Sequence, residues 1–404
     1  MQKFGRALIW LMWFAPFLAS AQIDPAKRDL IQIGYNAAFE GHAPLAGYAY
    51  FYHNQPDFLE TNLTLRLAVA PVYLDSELGF VRGLGPNTDF AIGAAGGGFA
   101  DSYNEIRGGN FLRSESFNGN GGEISASLYH LFNPGAEIPL NFILRGTGHY
   151  AFYSRNDDTA ASFILPDDHG DLSVRTGLRW GGVEPTLFPP LAMELSVWYE
   201  GHLRTDSGVY GFGGDRELNE QSHLFWAEAA LAYTLPQSQQ SLYVRLTAGT
   251  SVDADRFSAY RLGGFLPLVA EFPLSLPGYY FQEISARQFV LLNANYLLPL
   301  DPKKCWNIDV NAGSAFVDYL PGESQPGNWL NGVGGGILFR SPSRRLKVMV
   351  NYAYGVDAIR SHGRGANSIG VFLQLDLAHP HGPAFNPAHP GPGLWRGWQW
   401  LFGN

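Results

Sequence analysis

The chain has 404 residues, a formal net charge of −9 and only 16% charged side chains, and its basic residues form no stripe, which argues against nucleic acid as a partner. Its single cysteine, Cys305, excludes an intramolecular disulfide framework and a cysteine-based metal cluster. The 48 Gly, 28 Phe, 20 Tyr and 10 Trp suit Gly-rich strands with aromatic girdles better than a helical enzyme.

Lys3 and Arg6 give a positive start, Ala7 to Leu18 is an apolar run broken by Pro16, and Ala19-Ser20-Ala21 offers a cleavage site before Gln22. That is the layout of a secretory signal peptide over residues 1–21. Beyond it no apolar run approaches the roughly eighteen residues of a membrane-spanning helix. The mean hydropathy of −0.09 resembles that of a soluble protein. A membrane barrel gives the same average, because lipid-facing and lumen-facing side chains alternate and cancel.

Strict alternation recurs along residues 22–378. Strands are expected at 29–41, 45–54, 61–73, 87–100, 122–132, 138–153, 170–181 and 190–204. More follow at 221–235, 241–254, 286–299, 304–317, 328–341, 345–357 and 366–378. In one, Leu172, Val174, Thr176, Leu178 and Trp180 alternate with Ser173, Arg175, Gly177 and Arg179. Such segments reach the roughly 9–11 residues of a tilted membrane strand. Short connections (132–137, 235–240, 300–304, 341–344) alternate with longer ones (101–121, 155–169, 205–220, 255–284, 321–327), as periplasmic turns alternate with outer loops. Fifteen is odd, and bacterial single-chain barrels have even counts. Residues 75–84, with Leu78, Phe80 and Leu84 in phase, supply the missing strand. The expected fold is therefore an all-β transmembrane antiparallel barrel of about sixteen strands.

The last strand puts Ile369, Val371, Leu373, Leu375 and Leu377 on one face. Its Ser368, Gly370, Leu373 and Leu375 resemble the C-terminal signal read by the barrel-assembly machinery, an expected partner during biogenesis. Residues 379–404 form a Pro/Gly/His/Trp-rich tail, expected to be periplasmic with its tryptophans at the interface. Its His379, His381 and His389 are separated by Pro and Gly in a way that fixes no metal geometry, so neither metal nor cofactor is expected.

Three stretches resemble the bacterial surface antigen family, the barrel of outer-membrane protein assembly factors and two-partner secretion transporters. Tyr260-Arg261-Leu262-Gly263-Gly264-Phe265 resembles the glycine pair that opens the family's inward-folding loop. Leu276-Pro277-Gly278-Tyr279-Tyr280 resembles the tip of that loop, with Pro277 where the family carries arginine. The glycine-rich run 332–336, the Ser341-Pro342 turn and the strand 346–355 resemble the family's C-terminal region. The resemblance implies a loop folded into the lumen, with Asp309 as a candidate partner on the inner wall, and five strands after the loop. The first strand begins near Asp29, so no periplasmic polypeptide-transport-associated domain is expected, and client capture would fall to a separate periplasmic protein.

Two functions fit. The chain assists insertion or translocation of polypeptide or lipid across the outer membrane, or it is a passive channel for small solutes. Arg145, Arg175, Arg179, Glu194, Glu200, Glu228 and Arg245 are expected to face the lumen and to pair across a plugged interior. His130, His149, His202 and His223 stand in no Ser-His or Asp-His spacing, so the chain is not expected to be an enzyme. The remaining expected partner is outer-membrane lipid.

Overall fold

The computed structural model describes residues 23–361 and 363–378, so the expected leader (1–21) and tail (379–404) lie outside the described residues. Sixteen strands form the wall: β1 Arg28–Ala38, β2 Ala46–Pro56, β3 Leu63–Val69, β4 Tyr73–Phe80, β5 Thr88–Gly97, β6 Asn118–Leu131, β7 Leu140–Ser154 and β8 His169–Gly182. The second half is β9 Leu191–Arg204, β10 Gln221–Thr234, β11 Ser241–Val252, β12 Ile284–Pro299, β13 Trp306–Tyr319, β14 Trp329–Arg340, β15 Leu346–Arg360 and β16 Gly363–Asp376. Each pairs antiparallel with the next. The sheet closes where β1 meets β16, with Leu30 opposite Asp376 and Ala38 opposite Ser368. Closure leaves no edge, which is the condition for an extended backbone to sit in hydrocarbon. β4 is the strand supplied by parity.

The side chains divide as in a membrane barrel and opposite to a soluble one. Val174, Leu195, Val197, Leu246, Val290 and Val333 point outward and are exposed, while Gln32, Ser196, Thr247, Asn311 and Gln374 point inward and are buried. A continuous exposed apolar band of this kind needs a lipid covering. Among the described residues no helix is long and apolar enough to cross a membrane.

The connection pattern departs from expectation at three places. On the side of the long loops, β4 begins four residues after β3 ends, and β16 begins three residues after β15 ends. The β8–β9 connection, 183–190, lies on the short-turn side, is as long as the β6–β7 connection at eight residues, and buries Leu187 against inward-facing wall residues. Among the long loops, Tyr103, Phe117, Phe163, Tyr210 and Leu218 bury one aromatic cluster. Beside it Arg256 Nη2 lies 2.6 Å from Glu323 and Arg256 Nε lies 3.4 Å from Glu105, whose other oxygen meets Arg107 at 3.0 Å. These loops pack together on that side of the barrel.

Candidate functional site

The connection between β11 and β12 carries the features singled out in sequence. Tyr260–Leu262 pairs with the first residues of β12, so the segment leaves and rejoins the wall at one place. Gly263 and Gly264 then turn it with φ of +141° and +62°, conformations that other residues rarely adopt.

Beyond the glycines, the segment touches inward-facing residues around much of the wall. On β2, the Tyr48 hydroxyl donates to the Pro267 carbonyl and the Tyr50 hydroxyl donates to the Leu268 carbonyl at 3.2 Å. Across from them, Glu271 accepts from Arg179 Nη2 at 2.5 Å and lies 3.6 Å from Arg175. Phe272 sits edge-on to Trp198 and Trp226, 5.3 and 5.6 Å from their ring centres, and those two rings stack on each other. Phe265 packs edge-on against Phe372 of β16.

The tip fits between glycines. A Cβ on Gly332 of β14 would lie 2.0 Å from the Pro277 carbonyl oxygen. A Cβ on Gly278, whose φ is +84°, would lie 1.9 Å from the Gly355 nitrogen of β15. The glycine-rich stretch of β14 thus permits backbone to approach backbone. Tyr279 and Tyr280 are both buried, and the Tyr280 hydroxyl donates to the Glu40 carbonyl at 2.7 Å.

Pro277 forms no ion pair, but one exists a few residues on with its polarity reversed. Glu283, at the end of the segment, accepts from Arg360 of β15 through Nη1 and Nη2 of the guanidinium, at 2.7 and 2.9 Å. It also accepts from the Tyr280 amide at 2.8 Å, and the guanidinium lies 3.7 Å over the Tyr280 ring. Both side chains are essentially buried, at 1% and 0% exposure. Sequence reading missed this pair: the partners are 77 residues apart, and Arg360 carries no local motif. Asp309 stands on β13 and accepts from Asn295, from Asn311 at 2.6 Å and from Asn351 at 3.2 Å, all residues of the wall.

The expected lumen charges are paired on the wall. Arg145 lies 3.6 Å from Glu77, Arg175 2.6 Å from Glu200, Arg179 3.1 Å from Glu194 and Arg245 3.4 Å from Glu228. The four histidines also have wall or loop partners: Thr88 for His130, Asp101 for His149, Asp171 and Glu200 for His202, and Tyr199 for His223. On β16, Gly370 lies opposite Asn36, Leu373 opposite Ile33, Leu375 opposite Ile31, and Ser368 is buried.

With this geometry in hand, the barrel can be set beside solved structures. CdiB from Acinetobacter baumannii superposes with a TM-score of 0.56 at 10% identity, over 87% of this chain and 60% of that one. BamA from Haemophilus ducreyi, solved without POTRA domains 1–3, gives 0.53 at 12% identity over 86% and 70%. CdiB from Escherichia coli gives 0.53 at 11% over 87% and 64%. In fold, the chain is similar to the BamA and CdiB barrels. At these identities the likeness shows the fold alone, and the chain spans 60% of the length of the A. baumannii protein. No family model matches the sequence, and no curated protein matches it.

Proposed function

We propose that this chain is an outer-membrane barrel that assists insertion or translocation of polypeptide or lipid, with residues 263–283 folded into the lumen as a plug. The observation that carries the reading is the anchoring of that segment, by the Glu283–Arg360 pair and by the seating of Gly278 against Gly355. A diffusive pore needs an open lumen. Here wall charges are paired with one another, and Glu271 of the segment adds to two of those pairs. The likeness to BamA and CdiB supports the same class of work. A separate periplasmic protein would bring the client.

Depleting the chain from its native bacterium tests this reading, with quantitative proteomics of the outer membrane and medium as the readout. Loss of a subset of exported polypeptides or of outer-leaflet lipid, with small-solute uptake intact, is the expected result. An unchanged envelope with impaired uptake of a small solute would overturn it.

A further inference from the structure

The connection 183–190, Val-Glu-Pro-Thr-Leu-Phe-Pro-Pro, turns into the barrel from the short-turn side. Its main chain is held by a row of side chains that crosses the closing seam. Gln32 on β1 is the register partner of Gln374 on β16, and Gln374 is the partner of Lys347 on β15. Gln32 Nε2 donates to the Pro185 carbonyl at 3.1 Å, Gln374 Oε1 accepts from the Leu187 amide at 2.7 Å, and Lys347 Nζ donates to the Leu187 carbonyl. Each bond is to backbone, so the row reads main chain and not a particular sequence. The main chain it holds is bent, with the Thr186 amide donating to the Glu184 carbonyl at 2.8 Å and Phe188 at a φ of +50°. The Leu187 side chain fills an apolar socket that includes Leu297, Leu338, Met349 and Phe372.

We propose that this row and socket form a binding site for a bent peptide segment bearing an apolar residue, occupied in cis by 183–190 and opened when that tongue withdraws. The proposal rests on the reading that the chain handles polypeptide, and it names how the client is gripped. Pro185, Pro189 and Pro190 keep the tongue from joining the wall as a strand, so its bonds to the row remain exchangeable. An acyl chain would fill the socket and leave Gln32 and Gln374 bonded to each other at 3.1 Å, but it would offer no carbonyl to Lys347 Nζ and no amide to Gln374 Oε1, which is costly. A peptide satisfies both halves. Leu187 and Phe188 also pack with Leu266 of the 263–283 segment, so withdrawal of the tongue uncovers one end of the plug.

The test uses the full chain in lipid nanodiscs and a fluorescent synthetic peptide of sequence Val-Glu-Pro-Thr-Leu-Phe-Pro-Pro. With residues 184–189 replaced by a Gly-Ser linker, the tethered competitor is gone, and the peptide should bind about ten-fold more tightly or better than to the parent. Gln374→Met in that background, or N-methylation of the peptide's leucine amide, should weaken binding about ten-fold, the value of one lost hydrogen bond. Leu187→Gly with Phe188→Gly, which keeps the loop length, should give the same gain if the linker form does not fold, with heat-modifiable mobility on gels as the check on folding. Equal binding to parent and opened forms, no effect of N-methylation, or displacement by palmitate would each overturn the proposal. Peptide binding without loss of exported clients on depletion would count against the function and leave the site standing. Client loss without peptide binding would do the reverse.

Discussion

Glu283→Gln removes the charge that neutralises a guanidinium sealed inside the barrel. The native pair is bidentate, with contacts of 2.7 and 2.9 Å, and neither side chain has appreciable exposure. Breaking such a pair from one side costs about 3–5 kcal/mol, because the remaining charge stays buried without its partner. Glutamine keeps one oxygen, which at the Oε2 position still accepts from the Tyr280 amide and from Arg360 Nη2, but its NH2 then meets Arg360 Nη1, donor against donor, so we expect about 3–5 kcal/mol. Arg360→Met should cost a similar amount, while Glu283→Gln with Arg360→Met leaves no orphaned charge and should fall short of the sum by about 2 kcal/mol or more. Urea unfolding in lipid vesicles, followed by tryptophan fluorescence and by heat-modifiable mobility on gels, measures all three. A cost below about 1 kcal/mol for Glu283→Gln, or strictly additive single changes, would refute the reasoning.

Gly278→Ala places a Cβ 1.9 Å from the Gly355 nitrogen at a φ of +84°, so it should lift the tip off β14 and β15. Planar-bilayer recordings should then change from small or flickering currents to larger and longer openings, and unchanged currents would count against a plug seated there. A Cβ on Gly313 would lie 2.8 Å from the Pro277 ring, so cysteines at these two positions, in a Cys305→Ser background, should cross-link and suppress opening. A pair that stays reduced under mild oxidant would contradict that placement. In the outer loops, burial and the nearby Glu105 carboxylate push the Glu323 carboxyl from 4.5 up to about 7, against the opposing pull of Arg256. The folded loops therefore hold this proton more tightly than the unfolded chain does. The resulting stability is full below pH about 4.5 and is lost as pH rises through about 7. Hydrogen exchange in 320–328 should be slower at acid than at neutral pH beyond the intrinsic rate change, and Glu323→Gln should abolish the difference. A difference that survives the substitution would assign it to another group.

The wall was legible because period-two alternation is imposed on every strand by a wet interior and an oily exterior. It picked out fifteen of the sixteen strands, and parity recovered β4, whose Asp75, Ser76 and Glu77 interrupt its apolar side chains. The segment 263–283 was legible through its glycines, because backbone that must approach backbone excludes other residues. The resemblance also implied five strands beyond it, and β12 to β16 follow. What the sequence did not disclose depends on partners distant along the chain. The tongue reads as an ordinary proline-rich turn, and only the meeting of Gln32, Gln374 and Lys347 in register draws it inward. The Glu283–Arg360 pair has no local signature, and Asp309, a plausible partner for the tip by position, is surrounded by wall asparagines instead. The long loops were expected, but their shared aromatic cluster was not, since its members come from separate connections.

The most direct test concerns the solvent this wall is built for. The chain from residue 22 onward should remain aggregated or unfolded in detergent-free buffer. On dilution into lipid vesicles or detergent it should gain a protease-resistant, heat-modifiable form rich in β structure. A well-folded monomer in plain buffer, with the same β content and no bound amphiphile, would contradict the account at its base.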